Sequence, residues 1–99
     1  MKKTLGILAV LMAISTTVHA KEAPRDAYLC VTAYTVTIEL LESAGRPDLQ
    51  VWPKEMKQLL LDKYVFEQTR LDITYQNFGT KYELMNNWME DFCAYPSKI

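Results

Sequence analysis

Two cysteines, Cys30 and Cys93, bracket most of this chain, and no other cysteine is present to compete for either. Whether they bond depends on the compartment, and the first twenty residues speak to that. Met1-Lys2-Lys3 is followed by an apolar run from Leu5 to Ile14 and then by Ser-Thr-Thr-Val-His-Ala. A positive start, a short apolar core and small residues at Val18 and Ala20 describe a secretory signal peptide cleaved after Ala20. As an uncleaved anchor the run falls far short of the roughly 20 residues a membrane span needs. The reading predicts export, with a bacterial periplasm as the setting. In an oxidising compartment a Cys30–Cys93 disulfide is the default. A redox pair usually sits as C-x-x-C, and zinc needs more ligands than two cysteines supply.

Cleavage leaves residues 21–99, 79 of the 99 residues, as one small domain. A core of that size gives only a few kcal/mol. Closing a loop of about 63 residues contributes roughly 4 kcal/mol in the chain-entropy model. The disulfide is therefore expected to supply a large share of the stability.

The pattern between the cysteines predicts an all-α fold, a small bundle of three to four helices closed by that one bond. Ala27, Val31, Tyr34, Ile38 and Leu41 recur at steps of four and three and make one helix face. Pro24 and Asp26 suit the start of that helix, and Gly45 with Pro47 suits its end. The β-branched run through Val31, Thr32, Thr35, Val36, Thr37 and Ile38 is a competing strand signal. Pro53 opens a second helical pattern, with Met56, Leu59, Leu60, Tyr64 and Phe66 apolar, running to about Glu67. From residue 68 to 78 the pattern fits helix or strand: Leu71, Ile73 and Tyr75 alternate, whereas Leu71, Tyr75 and Phe78 share a helix face. After Gly79, Thr80-x-x-Glu83 has the form of a capping box. Leu84, Met85, Trp88, Met89 and Phe92 form the apolar face of a last helix, which Pro96 ends. A break near Gln68–Arg70 is preferred. It makes the chain run up, down, up and down, which returns Cys93 to the level of Cys30. Val31, Tyr34, Ile38, Leu60, Trp88 and Phe92 are the predicted core.

Composition narrows the function. Without the leader the chain carries nine Lys and Arg against twelve Asp and Glu, a net charge of −3. A mildly acidic surface with no basic cluster argues against nucleic acid and against anionic membranes. The one histidine, His19, lies in the leader, so a serine or cysteine nucleophile would have no histidine base. Glu39, Glu42, Glu90 and Asp91 read as solvated helix faces rather than catalytic pairs. No glycine-rich phosphate loop or calcium-loop spacing occurs. The chain is expected not to be an enzyme and to need no cofactor or metal. All eleven aromatic residues lie beyond the leader. Most are expected to fill the core, while Tyr28, Trp52 and Tyr95 are candidates for contact with a protein partner. Tyr28 and Tyr95, close to the cysteines, are the ones expected to be exposed.

Tyr28-Leu29-Cys30 near the start, and Trp88-Met-Glu-Asp-Phe-Cys93-Ala-Tyr-Pro96 near the end, resemble the frame of the HdeA-like periplasmic proteins. Those are small helical domains with one early and one late cysteine, the second closely followed by proline. The resemblance implies a homodimer that opens at low pH and holds unfolding clients. This sequence departs from the family in ending three residues after Pro96, where the family continues with a Lys-rich segment. With His19 removed, no side chain has an unperturbed pKa between 5 and 8. An acid switch would then rest on the carboxylates and act below about pH 5. The alternative is an immunity or inhibitor protein dedicated to one toxin or enzyme, since such proteins are similarly built.

Overall fold

The computed structural model describes residues 21–99; the leader and its cleavage site lie outside the described residues. Among the described residues the fold is all-α, with four α-helices and one disulfide. Helix α1 (Arg25–Ser43) begins at Pro24, whose extended ψ of 167° makes it the cap rather than the first turn, and Asp26 lies favourably in that turn. The helix ends as its glycine predicts. Gly45 takes φ +68°, its N–H donates to the Glu42 carbonyl at 3.1 Å, and the Arg46 N–H donates to Leu41 at 2.9 Å. This pair of bonds is the Schellman arrangement, in which the left-handed residue costs glycine nothing.

The β-branched run inside α1 is helical, and its threonines explain how. The Thr35 hydroxyl donates to the Val31 carbonyl at 2.7 Å and the Thr37 hydroxyl to Ala33 at 2.8 Å. Each polar atom is satisfied one turn back, leaving the methyl group to pack. The single predicted face is corrected here. Between Ala27 and Tyr34 every residue of α1 is buried, and so is Val36. This half of α1 is wrapped on all sides and forms the axis of the domain.

After a short 3₁₀ turn (Pro47–Leu49), α2 (Val51–Lys63) packs antiparallel to α1. It starts two residues before Pro53, which is tolerated because a first-turn amide has no in-helix acceptor. The buried Gln50 ties the junction, its amide donating to the Ile38 carbonyl at 2.8 Å and to Glu42 at 3.0 Å. Helix α2 stops at Lys63, four residues short of its predicted end. Tyr64–Val65 (β2) instead pairs in parallel with Lys21–Glu22 (β1), Lys21 opposite Tyr64.

The ambiguous stretch becomes α3 (Gln68–Phe78). Its last turn closes on Gly79, where a Cβ would stand 2.5 Å from the Tyr75 carbonyl oxygen. The break between the second and third helices falls at Tyr64–Glu67, just before the predicted position. Helix α4 (Tyr82–Trp88) then runs on as π-helical turns over Met89–Cys93, and Pro96 opens a closing 3₁₀ turn. The predicted capping box does not form. Lys81, not Thr80, caps α4, with no side-chain bond to the helix.

The core runs along α1. Leu29, Val31, Ala33, Tyr34 and Val36 meet Leu60 from α2 and Met85, Trp88 and Cys93 from α4 and its extension. Ile38 and Phe92 are half-buried, Phe92 packing on the core's edge. Among the described residues no buried side-chain nitrogen or oxygen lacks a hydrogen-bond partner. None of their helices is long and apolar enough to cross a membrane.

Candidate functional site

The disulfide places the last helix. Cys30, one turn into α1, and Cys93, at the end of the π turns, lie 5.4 Å apart between Cα atoms, inside the ordinary range for such a bond. Both are fully buried. Beside them the Tyr34 hydroxyl donates to the Cys93 carbonyl, which stands at the end of its helix. Burial pushes the Tyr34 phenol up to about 12. The Trp52 ring meets Tyr34 edge-on at 5.8 Å. The Phe78 and Trp88 rings pack the same way at 5.2 Å and hold α3 to α4.

With its end fixed by Cys93, the first part of α4 lies against the exposed half of α1. The two helices leave a groove between them of about 380 Å³. Val36, Thr37 and Leu40 form one wall; Tyr82, Met85, Asn86 and Met89 form the other. Val36 and Met85 are buried at its floor, whereas Leu40 and Tyr82 at its rim are 46% and 53% exposed. Because Thr37 spends its hydroxyl on Ala33, the groove side of α1 is apolar from Val36 to Leu40. On the opposite wall the half-buried Met89 offers an adaptable, polarizable contact. Exposed apolar residues at a cleft are informative where single ones are not.

The charged residues on the two elements that build this groove are mostly acidic, and none of them lines it. Glu39 and Glu42 project from α1, and Glu83, Glu90 and Asp91 from α4 and its extension, all exposed. Glu39 accepts the Tyr75 hydroxyl at 2.6 Å and holds that phenol above its ordinary range. Glu42 accepts from Gln50. Both donors are neutral, so the charges remain. The ion pairs among the described residues lie elsewhere: Arg70 with Glu22 at 3.5 Å, and Arg46 with Asp48 at 3.1 Å. The Arg46 fork holds the exposed Asp48 carboxyl below its usual range.

The three residues predicted for partner contact stand at three separate places. Tyr28 is corrected: it is only 2% exposed and works inside the fold. Its hydroxyl oxygen accepts the Glu67 N–H at 2.8 Å, Phe66 packs edge-on at 5.1 Å, and the Arg70 guanidinium lies 4.2 Å over its ring. Proximity to a cysteine suggested exposure, but the all-round burial of α1 decides otherwise. Trp52 is 42% exposed, and Tyr95 is 59% exposed with Lys98 over its ring at 5.1 Å. Neither lines the groove.

Leu40 and Tyr82 were absent from the sequence-based candidates, although a signal existed. Tyr82, Met85 and Met89 sit at steps of three and four on one helix, beside a face already supplied by Trp88. A helix with more apolar face than one neighbour covers has a surface left over. Compared with protein-family models, curated proteins and solved structures, the chain has no significant match.

Proposed function

We propose that this chain is a non-enzymatic, exported protein-binding module, periplasmic in setting, which holds a protein partner at the groove between α1 and α4. The observation that carries this reading is the groove itself: an apolar floor at Val36 and Met85 and an exposed rim at Leu40 and Tyr82. The leader and the disulfide between the two cysteines support export, since such bonds persist in oxidising compartments.

The reading takes two forms. An HdeA-like holdase would be inert at neutral pH and expose client-binding surface only on opening in acid. A dedicated immunity or inhibitor protein would bind its partner folded. The second form is favoured because the groove already stands open in the folded, disulfide-closed chain. A photo-crosslinking residue at position 40 tests this against one at Asp62, an exposed position on α2. In periplasmic protein at pH 7, position 40 is expected to trap one discrete partner and position 62 none. Crosslinks to many clients, confined to pH 2–3 and accompanied by suppression of client aggregation, would move the holdase to first place. No crosslink at either pH would remove the groove as a binding site.

A further inference from the structure

From the apolar groove and the charge around it we infer the partner's chemistry: an amphipathic segment, Lys- and Arg-rich on one side and apolar on the other. This rests on the groove being a protein-binding surface and states what that surface selects. The shape comes first. The groove runs between two helices, with Leu40 and Tyr82 exposed along its rim. An open trough of this kind takes the anchor side chains of one peptide face, as in helix-in-groove recognition. Met89, half-buried on one wall, offers those anchors an adaptable contact.

Charge then selects among such segments. Helix α1 has no basic residue after Arg25, and none occurs from Tyr82 to Cys93. The two elements that build the groove carry Glu39, Glu42, Glu83, Glu90 and Asp91, and neither ion pair among the described residues involves any of these five. The cations next to these elements in the chain are Lys81, which keeps its charge, and Arg46, which is paired. Lys81 lies 5.4 Å from the centre of the Phe78 ring, and Arg46 is engaged by Asp48 through two bonds, at 3.2 and 3.1 Å. An apolar trough built by two elements whose exposed charges beyond Arg25 are all acidic attracts a cationic amphipathic segment and disfavours an anionic one, which would meet like charge on both elements. A second copy of this chain is disfavoured by the same reasoning, because its groove elements would bring the same negative charge.

The test uses the disulfide-intact chain from residue 21 to 99 and two synthetic helical peptides with identical Leu/Phe faces. One carries Lys and Arg on its polar face, the other Glu. Calorimetric titration at low salt is expected to show the basic peptide binding about tenfold tighter or better, with the preference shrinking as salt rises. Glu83→Lys with Glu90→Lys, both at exposed positions, should erase most of that preference. Leu40→Ser with Tyr82→Ser should abolish binding of either peptide, and circular dichroism checks that these variants remain folded. Equal or tighter binding of the acidic peptide overturns the inference while leaving the groove a binding surface. Basic-peptide binding indifferent to the Leu40 and Tyr82 changes overturns it as mere charge attraction. Binding of neither peptide also overturns it; if position 40 traps no partner in the crosslinking experiment as well, the protein-binding reading falls with it. A dimer by sedimentation that Leu40→Ser dissolves would give the groove to a second copy instead.

Discussion

Trp88 and Glu83 are five residues apart in α4, and their environments set very different expectations for alanine. Trp88 is buried in the core and packs edge-on against Phe78. Trp88→Ala should cost about 3–5 kcal/mol, the range for emptying a large aromatic site. Glu83 stands exposed in the first turn of a helix capped without side-chain bonds. With no capping box to break, Glu83→Ala loses only its interaction with the helix dipole, about 0.3–1 kcal/mol. Denaturant titration of both variants checks the ratio, and a Glu83→Ala loss of about 2 kcal/mol would mean that Glu83 does cap in solution. Tyr34 gives a pH-dependent prediction. Its folded value of about 12 lies above the ordinary value of 10.0. The folded chain therefore holds this proton more tightly than the unfolded one. The resulting stability is complete below pH 10 and is lost as pH rises towards about 12. Tyr34→Phe removes that decline but strands the Cys93 carbonyl. At pH 7 it should be destabilised by about 1–3 kcal/mol, with a melting temperature flatter than wild type across the alkaline range. A parallel decline in both proteins would assign the alkaline loss to other tyrosines.

At the level of elements, much was legible. The stop at Gly45, the helix from Pro24, the apolar face of α4 apart from the exposed Leu84, and the return of Cys93 to Cys30 follow from turn chemistry, periodicity and chain length. The failures have physical causes. Threonine marks strands by statistics, but an in-helix carbonyl one turn back can satisfy its hydroxyl, as at Thr35 and Thr37. Helix α2 stops at Lys63 because Tyr64 and Val65 find a partner in Lys21 and Glu22, a long-range pairing that no local pattern carries. Thr80 and Glu83 have the right spacing for a capping box, yet the chain enters the helix one residue later. The two glycines that end helices do so for different reasons, and asparagine separates them. Gly45 needs φ +68°, with nothing within 4 Å of an added Cβ. Gly45→Ala should cost about 1–2 kcal/mol of backbone strain, and Gly45→Asn clearly less, because asparagine tolerates that region. Gly79 has an ordinary helical φ of −61°, but a Cβ there would press on the Tyr75 carbonyl. Gly79→Ala and Gly79→Asn should therefore be about equally damaging, roughly 1–3 kcal/mol. A rescue by asparagine at both sites, measured by thermal melting, would refute the packing account of Gly79.

For the whole molecule, the candidate site was harder to read than the fold because a groove is a relation between helices. Leu40 and Tyr82 are unremarkable apart, and only the crossing of α1 by α4 makes them a rim. That crossing depends on the disulfide. Helix α4 has seven residues before its π turns, well below the length at which an isolated helix holds together. Its anchors are Met85, Trp88 and the bond from Cys93, 63 residues along the chain from Cys30. A closure of that length contributes roughly 4 kcal/mol in the chain-entropy model, a large part of the 5–15 kcal/mol typical of a native domain. Helices α1 and α2, by contrast, are 19 and 13 residues long and pack along one another. Reduction should therefore release the chain unevenly. In the double variant Cys30→Ser with Cys93→Ser, backbone amides from residue 82 to 99 are expected to exchange fastest, while those of α1 and α2 keep most of their protection. Peptide binding at the groove should disappear in that variant at temperatures where α1 and α2 are still folded, since one wall of the groove is α4. Hydrogen exchange and calorimetry on the same sample check both halves of the expectation. Uniform loss of protection across all four helices would show instead that the bond acts only by restricting the unfolded chain, and that α4 is held in place by packing alone.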